Sequence, residues 1–350
     1  MAENEKDILG NIGEQEYKYG FTTDIETETI GKGWITNLDE LKKLGFAPVL
    51  DRMGNVVVVK EGTGDAPRKR VMVSAHMDEV GLIVTSATED GYLRIAAAGG
   101  IDPRVLVSKR VTVGEDKLPG VIGAVPIHLQ SAAERKHVLS MDELLVDIGA
   151  KNKDEAECKA PMGTYISFDT PYVEYGDGFA CGKAFDDRVG CLSLLRLLQE
   201  ELPVDLVACF VSEEEVGCRG AKGAAFQQEP DVGIVLEGTT CNDLGDVPET
   251  AHVCEAGQGV AVSFMDGASI ANRALFRKAL DVAKQENIPH QVKHSVSGGN
   301  DGGAIQRARE GVPVVVLSVP CRYIHSPSSV VKLSDVESQF ALVKALVKAL

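Results

Sequence analysis

Four apolar runs rich in β-branched residues constrain the fold of this chain most. They are RVMVSA (residues 70–75), VDLVACFVS (204–212), GIVLE (233–237) and VPVVVLSV (312–319). A strand with one wet face alternates apolar and polar residues. Unbroken apolar runs of this length need cover on both faces, as in the interior of a parallel or mixed sheet flanked by helices. Helical patterns lie between and after them. Residues 186–202 carry Val189, Leu192, Leu195 and Leu198 at three-to-four spacing, and 272–287 form a second helical stretch. The C-terminal 334–350 open with Ser334 and Glu337 at capping-box spacing. Strands alternating with helices predict an α/β architecture.

Residues 80–178 read differently. Short strands and turns follow one another, with room only for short helices near 141–145 and 152–158. The expected organisation is a catalytic α/β domain of residues 36–78 and 182–350, interrupted by a small β-rich domain at 79–181. Thirty-six glycines among 350 residues suit many tight strand–loop–helix connections. A net charge of −16, with no Lys/Arg run supplying a basic face, argues against nucleic acid as a partner. No run of about 18 apolar residues marks a membrane span, and no N-terminal apolar leader is present. The eight cysteines form no CxxC pair, which argues against a structural zinc knuckle. With neither leader nor membrane run, the expectation is a cytoplasmic protein with reduced thiols.

The ends of the four runs carry the chemistry. His76 and Asp78 follow the first, Glu213, Glu214 and Glu215 the second, and Glu237 closes the third. His325 lies six residues past the fourth. Open α/β sheets gather ligands at the carboxyl ends of their strands, so all four would deliver a His or a carboxylate to one rim. Asp186 and Asp187 join them at the start of a helix. Taken singly, these are a structural His, a solvated acidic turn and a helix N-cap. Together on one rim the carboxylates repel unless a cation neutralises them. Mixed imidazole and carboxylate donors suit zinc, cobalt or manganese better than calcium. A site for two ions needs one bridging carboxylate, and a carboxylate that is not a ligand can take a proton from an activated water.

Five motifs in order, SAHMDEVG (74–81), GKAFDDRVG (182–190), FVSEEEVGCRGA (210–221), VLEGTT (235–240) and RYIHSP (322–327), resemble the M42 family of metallo-aminopeptidases. The resemblance runs from about residue 51 to 350. It implies that His76, Asp186 and Glu237 hold one divalent ion and that Asp186, Glu215 and His325 hold a second, with Asp186 bridging. Glu237 stands where the family often has Asp. The resemblance further implies Glu214 as general base, and Asp78 orienting the His76 imidazole. It implies zinc, or cobalt or manganese, as the two ions. The substrates would be short peptides with a free N-terminus, and the assembly a homo-oligomer, a dodecamer. The inserted domain would be PDZ-like and would serve dimerisation.

Two stretches depart from the family. SGGNDGGAIQRA (297–308) stands where GGTDA is common, and predicts a turn before a helix opened by Asn300 or Asp301. Residues 1–35 are instead similar to the N-terminal segment of a Suf-type iron–sulfur assembly scaffold, though no Cys precedes Cys158. Other readings of the chain are a two-metal deacylase or carboxypeptidase, and a non-catalytic binding or assembly protein.

Overall fold

The computed structural model describes residues 38–350, so the atypical segment 1–35 and its resemblance lie outside the described residues. After helix α1 (Leu38–Lys43), strands β1 (Val49–Leu50), β2 (Val56–Lys60) and β3 (Arg70–His76) lead into the sheet. Six strands then form a separate closed barrel: β4 (Gly81–Ala87), β5 (Leu93–Ala98), β6 (Arg110–Val113), β7 (Leu118–Gly123), β8 (Leu145–Asp147) and β9 (Tyr165–Phe168). Helix α2 (Lys153–Lys159) precedes β9. The chain returns through β10 (Val173–Tyr175) and β11 (Phe179–Gly182) to helix α3 (Phe185–Leu198). Next come β12 (Asp205–Val211), α4 (Arg219–Gln228), β13 (Val232–Thr240), β14 (Val260–Ser263), α5 (Arg273–Gln285) and β15 (His290–Val292). Helix α6 (Asp301–Gln306), β16 (Val314–Arg322), β17 (Ser329–Lys332) and α7 (Leu333–Lys348) complete the fold.

The large sheet runs β1-β2-β12-β3-β13-β16-β17-β11-β10, with β14 and β15 added beside β16. Its centre, β12-β3-β13-β16, is parallel. These are the four apolar runs of the sequence, and both of their faces are covered. Val71, Val73 and Ala75 of β3 pack with Leu194 and Leu198 of α3, Leu275 of α5 and Leu342 and Leu346 of α7. Met72 points the other way, into a second core with Ala221 and Ala225 of α4 and Ile305 of α6. The period-two alternation of a strand thus fills two cores from one apolar run. Among the described residues, no helix is long and apolar enough to cross a membrane.

The insert is a closed six-stranded antiparallel barrel around Leu82, Leu93, Leu106, Ile122, Leu144 and Ile166. The resemblance implied a PDZ-like insert; what is observed is this barrel. Its last strand ends at Phe168, short of the residue 181 expected, because β10 and β11 hydrogen-bond into the large sheet through β17.

The expected capping box at the last helix does not form. Helix α7 starts at Leu333, so Ser334 lies inside it, and Glu337 pairs with Arg196 of α3 at 2.8 and 2.9 Å instead. A long-range ion pair has taken the side chain that the local motif reserved for the helix end. Asn300 does cap α6, its side chain accepting from the Gly302 N–H at 2.9 Å.

Candidate metal centre

β3 and β13 pair only from Val71↔Val232 to Ser74↔Val235. Beyond that point the strands part, and His76 and Glu237 stand in the gap, sharing the side-chain parity of Met72 and Val235. Glu237 is not a strand end, as the sequence suggested, because β13 continues to Thr240 by pairing with β16. His325 comes three residues after β16, which runs on to Arg322. Asp186 sits in the first turn of α3, with non-helical backbone, and a cis peptide joins it to Asp187.

The two imidazoles are held in the same way. His76 Nδ1 lies 3.0 Å from the backbone carbonyl of Asp78, and His325 Nδ1 lies 2.8 Å from that of Gly100. A carbonyl only accepts, so each Nδ1 carries the proton and each Nε2 presents its lone pair in the neutral ring. His76 Nε2 faces Asp186 Oδ1 at 3.3 Å and Glu237 Oε2 at 3.6 Å. His325 Nε2 faces Asp186 Oδ2 at 3.5 Å and Glu215 Oε2 at 3.4 Å. Asp186 therefore stands between the two imidazoles, one oxygen toward each.

Asp78 organises the rim from beneath. Its carboxylate accepts the backbone N–H groups of Glu214 at 3.1 Å and Glu215 at 3.0 Å, closing the loop after β12. One oxygen also lies 3.6 Å from His76 Nδ1. Burial opposes its charge, but His76 and those two N–H groups prevail and hold the Asp78 carboxyl below its ordinary value. Orientation of the His76 ring comes mainly from the Asp78 main chain, with the side chain anchoring the neighbouring loop. The barrel contributes Gly100, and Gly99 beside it has φ +85°, where an added Cβ would lie 3.2 Å from Glu215 Cβ.

The charges are mutually unfavourable. Burial, then the Asp186 charge, pushes Glu215 up to about 8, and burial raises Glu237 well above the carboxylate range. Burial depresses His325, but Asp186 and Glu215 outweigh it and lift the imidazole to about 9. Burial likewise opposes ionisation of Asp186, yet the two histidines hold its carboxyl low. Glu237 Oε1 is buried with no hydrogen-bond partner. An orphaned carboxylate oxygen and imidazole Nε2 atoms turned toward carboxylates are the marks of a cation site.

The spacing fits as well. Bonds of ~2.0–2.2 Å at tetrahedral angles set ligand atoms roughly 3.3–3.5 Å apart, close to the four separations above. Asp187 also lies within 4.8 Å of His76 and Glu237 donor atoms. Its two oxygens are already taken by the backbone N–H groups of His76 (3.1 Å) and Gly190 (3.0 Å), so it is the framework member of the Asp pair.

The seven residues to which the resemblance gives roles come together here: His76, Asp78, Asp186, Glu214, Glu215, Glu237 and His325. Sequence reasoning missed Asp301, which is 1% exposed and joins Glu214 and Cys218 in a second cluster. Its place in a helix-opening Asn-Asp pair concealed it, since Asn300 alone does the capping. The cleft beside the centre is lined by Phe168 of the barrel, by Ile324 and by a Lys183–Glu79 ion pair at 2.5 Å.

A doubly covered sheet with imidazoles and carboxylates gathered at one rim of its parallel centre is the arrangement of a metal-dependent hydrolase. The sequence profile of the M42 glutamyl aminopeptidases matches residues 54–342. A putative aminopeptidase of Acetivibrio thermocellus is 34% identical, covering 89% of this chain and 91% of its own. The crystal structure of a TET aminopeptidase from a marine sediment Thaumarchaeota archaeon superposes with a TM-score of 0.84 at 33% identity, covering 89% of each chain. That of PhTET1, a dodecamer in its crystal, gives 0.78 at 31% identity, covering 89% of this chain and 92% of its own. The chain belongs to the M42 aminopeptidase family.

Proposed function

We propose that this aminopeptidase removes N-terminal residues from short peptides with two divalent cations. One would be held by His76, Asp186 and Glu237, the other by Asp186, Glu215 and His325. The observation that carries this reading is Asp186, with one oxygen facing each imidazole and both imidazoles committed at Nδ1 to backbone carbonyls. Zinc is the ion that mixed imidazole and carboxylate donors favour, with cobalt and manganese accepted by the same set.

When bound, the cation pair supplies a polarised carbonyl and a water that gives up its proton near neutral pH. Glu214 is the neighbouring carboxylate outside the two ligand sets. Its backbone is pinned by Asp78, and burial raises its carboxyl, which suits a group that accepts a proton and then returns it. Glu214 takes the proton of the attacking water and hands it to the leaving amine. The free N-terminus of the peptide enters the cleft between the barrel and the sheet, where Glu79, Lys183 and Ile324 line its path.

The barrel serves as the dimerisation element, and copies of the chain assemble toward a dodecamer. The dodecameric relative described above supports this. All eight cysteines are free, which supports a reducing, cytoplasmic setting. Glu214→Gln tests the base. It should abolish turnover of amino-acid 4-nitroanilides while both ions stay bound. Peptide turnover at the wild-type rate by the metal-loaded variant would refute the assignment.

A further inference from the structure

A second cluster of ligand-type side chains lies next to the base. Glu214, Cys218 and Asp301 each bring one donor atom within 4.8 Å of the others. Three different elements supply them: the loop after β12, the N-cap position of α4 and the first turn of α6. Cys218 has φ +53°, in the left-handed region. Its Sγ lies 3.3 Å from Glu214 Oε1. Asp301 brings the third donor atom. It is 1% exposed, and its Oδ1 is buried with no hydrogen-bond partner. An orphaned carboxylate oxygen at this depth costs about 1–3 kcal/mol unless something supplies a positive partner. Among the described residues, the hydrogen bonds of this cluster leave that oxygen unsatisfied.

The donor set is one sulfur and two carboxylate oxygens. Zinc takes sulfur at ~2.3 Å and oxygen at ~2.0–2.2 Å, which places S and O roughly 3.5 Å apart on a tetrahedron. The observed 3.3 Å separation is already at that spacing. Glu214 and Cys218 are only partly buried, so a cation can reach them from solvent. Thiolate selects zinc or cadmium over magnesium, calcium or manganese.

We propose that Glu214, Cys218 and Asp301 form a third, thiolate-containing zinc site whose occupation removes Glu214 from catalysis and switches the enzyme off. Binding exchanges the Cys218 S–H proton, released to water, for the Zn–S bond. The ion then draws on a Glu214 oxygen that the reaction needs free. Zinc thus acts in two ranges: lower concentrations fill the two sites bridged by Asp186, and higher ones fill this site and inhibit. The inhibitory half rests on the reading of Glu214 as base.

The test uses the full-length protein with zinc and, as a spectroscopic probe, cadmium. Equilibrium dialysis with elemental analysis should give one more equivalent of zinc at saturation for the wild type than for Cys218→Ser. Cadmium should produce an ultraviolet thiolate charge-transfer band that Cys218→Ser and Asp301→Asn lack or weaken. The zinc concentration for half-inhibition should rise at least tenfold in Cys218→Ser. Excess zinc should also protect Cys218 of the wild type from iodoacetamide, read by peptide mapping, a measurement that needs no variant to fold. Equal zinc content in both proteins, or alkylation of Cys218 unaffected by zinc, overturns the site. A Cys218-dependent ion that leaves turnover undiminished overturns the switch. Glu214→Gln, assayed in parallel, then shows whether the base assignment has failed with it.

Discussion

Replacing Asp78 by Asn isolates the part of the centre that depends on its side chain. The substitution leaves the Asp78 carbonyl, and with it the 3.0 Å contact to His76 Nδ1, in place. What changes is the carboxylate that accepts the Glu214 and Glu215 N–H groups at 3.1 and 3.0 Å. Asn keeps one oxygen, so one charged hydrogen bond becomes neutral and the other is lost, with an NH2 group meeting an N–H. Hydrogen bonds to charged groups contribute about 1.5–3 kcal/mol each, and Asp78 is only 2% exposed, so solvent does not replace them. The expected loss is about 2–4 kcal/mol, measured by urea unfolding of the metal-free protein. Residues that support metal ligands typically change affinity by about 10–100-fold. Here the loss falls unevenly: the ion held through Glu215 and His325 weakens before the ion held through His76 and Glu237. Competition against a chelator resolves the two affinities. Unchanged stability, or equal weakening of both ions, would refute the division between main-chain and side-chain roles of Asp78.

Three further outcomes follow from the same geometry. Gly238→Ala places a Cβ 3.1 Å from Asp186 Cβ and Oδ1, which displaces that carboxylate by a few tenths of an ångström. Because Asp186 faces both imidazoles, both affinities should fall at least tenfold in a metal titration while the unfolding midpoint changes little. Gln339 is fully buried, donates to the Glu237 and Leu317 carbonyls at 3.1 and 2.9 Å, and accepts from Ser193 Oγ at 2.9 Å. Gln339→Leu leaves those groups unpaired and should cost about 3 kcal/mol of stability in urea unfolding. Zinc at about 100 times its dissociation constant should stabilise the folded chain by about 2.7 kcal/mol per filled site, read as a rise in Tm that chelation reverses.

Much of this fold was legible because its centre is built from four unbroken apolar runs, and such runs admit few arrangements. The positions just beyond them then follow from the rule that α/β sheets present ligands at strand ends. Glu237 shows the limit of that reasoning. Its strand continues to Thr240, and the site opens there only because β3 parts from β13 after Ser74, a register fact that no local pattern encodes. Ser334 and Glu337 show another limit, since a capping-box spacing lost its glutamate to Arg196, 141 residues away. The insert read as β-rich, but closure into a barrel depends on the β6–β9 pairing between distant segments. Asp301 was hidden because a buried acid and a helix cap look alike in sequence. Only tertiary packing against Glu214 and Cys218 separates them.

Sharing of Asp186 by two cations is tested most directly by the metal-to-protein ratio, from elemental analysis after zinc loading at a concentration that fills only the tighter sites, followed by dialysis. Wild type should hold two ions per chain, Glu237→Ala and His325→Ala one each, and Asp186→Ala none, with circular dichroism confirming that each variant is folded. A folded Asp186→Ala that retains even one tightly bound ion would contradict the bridge.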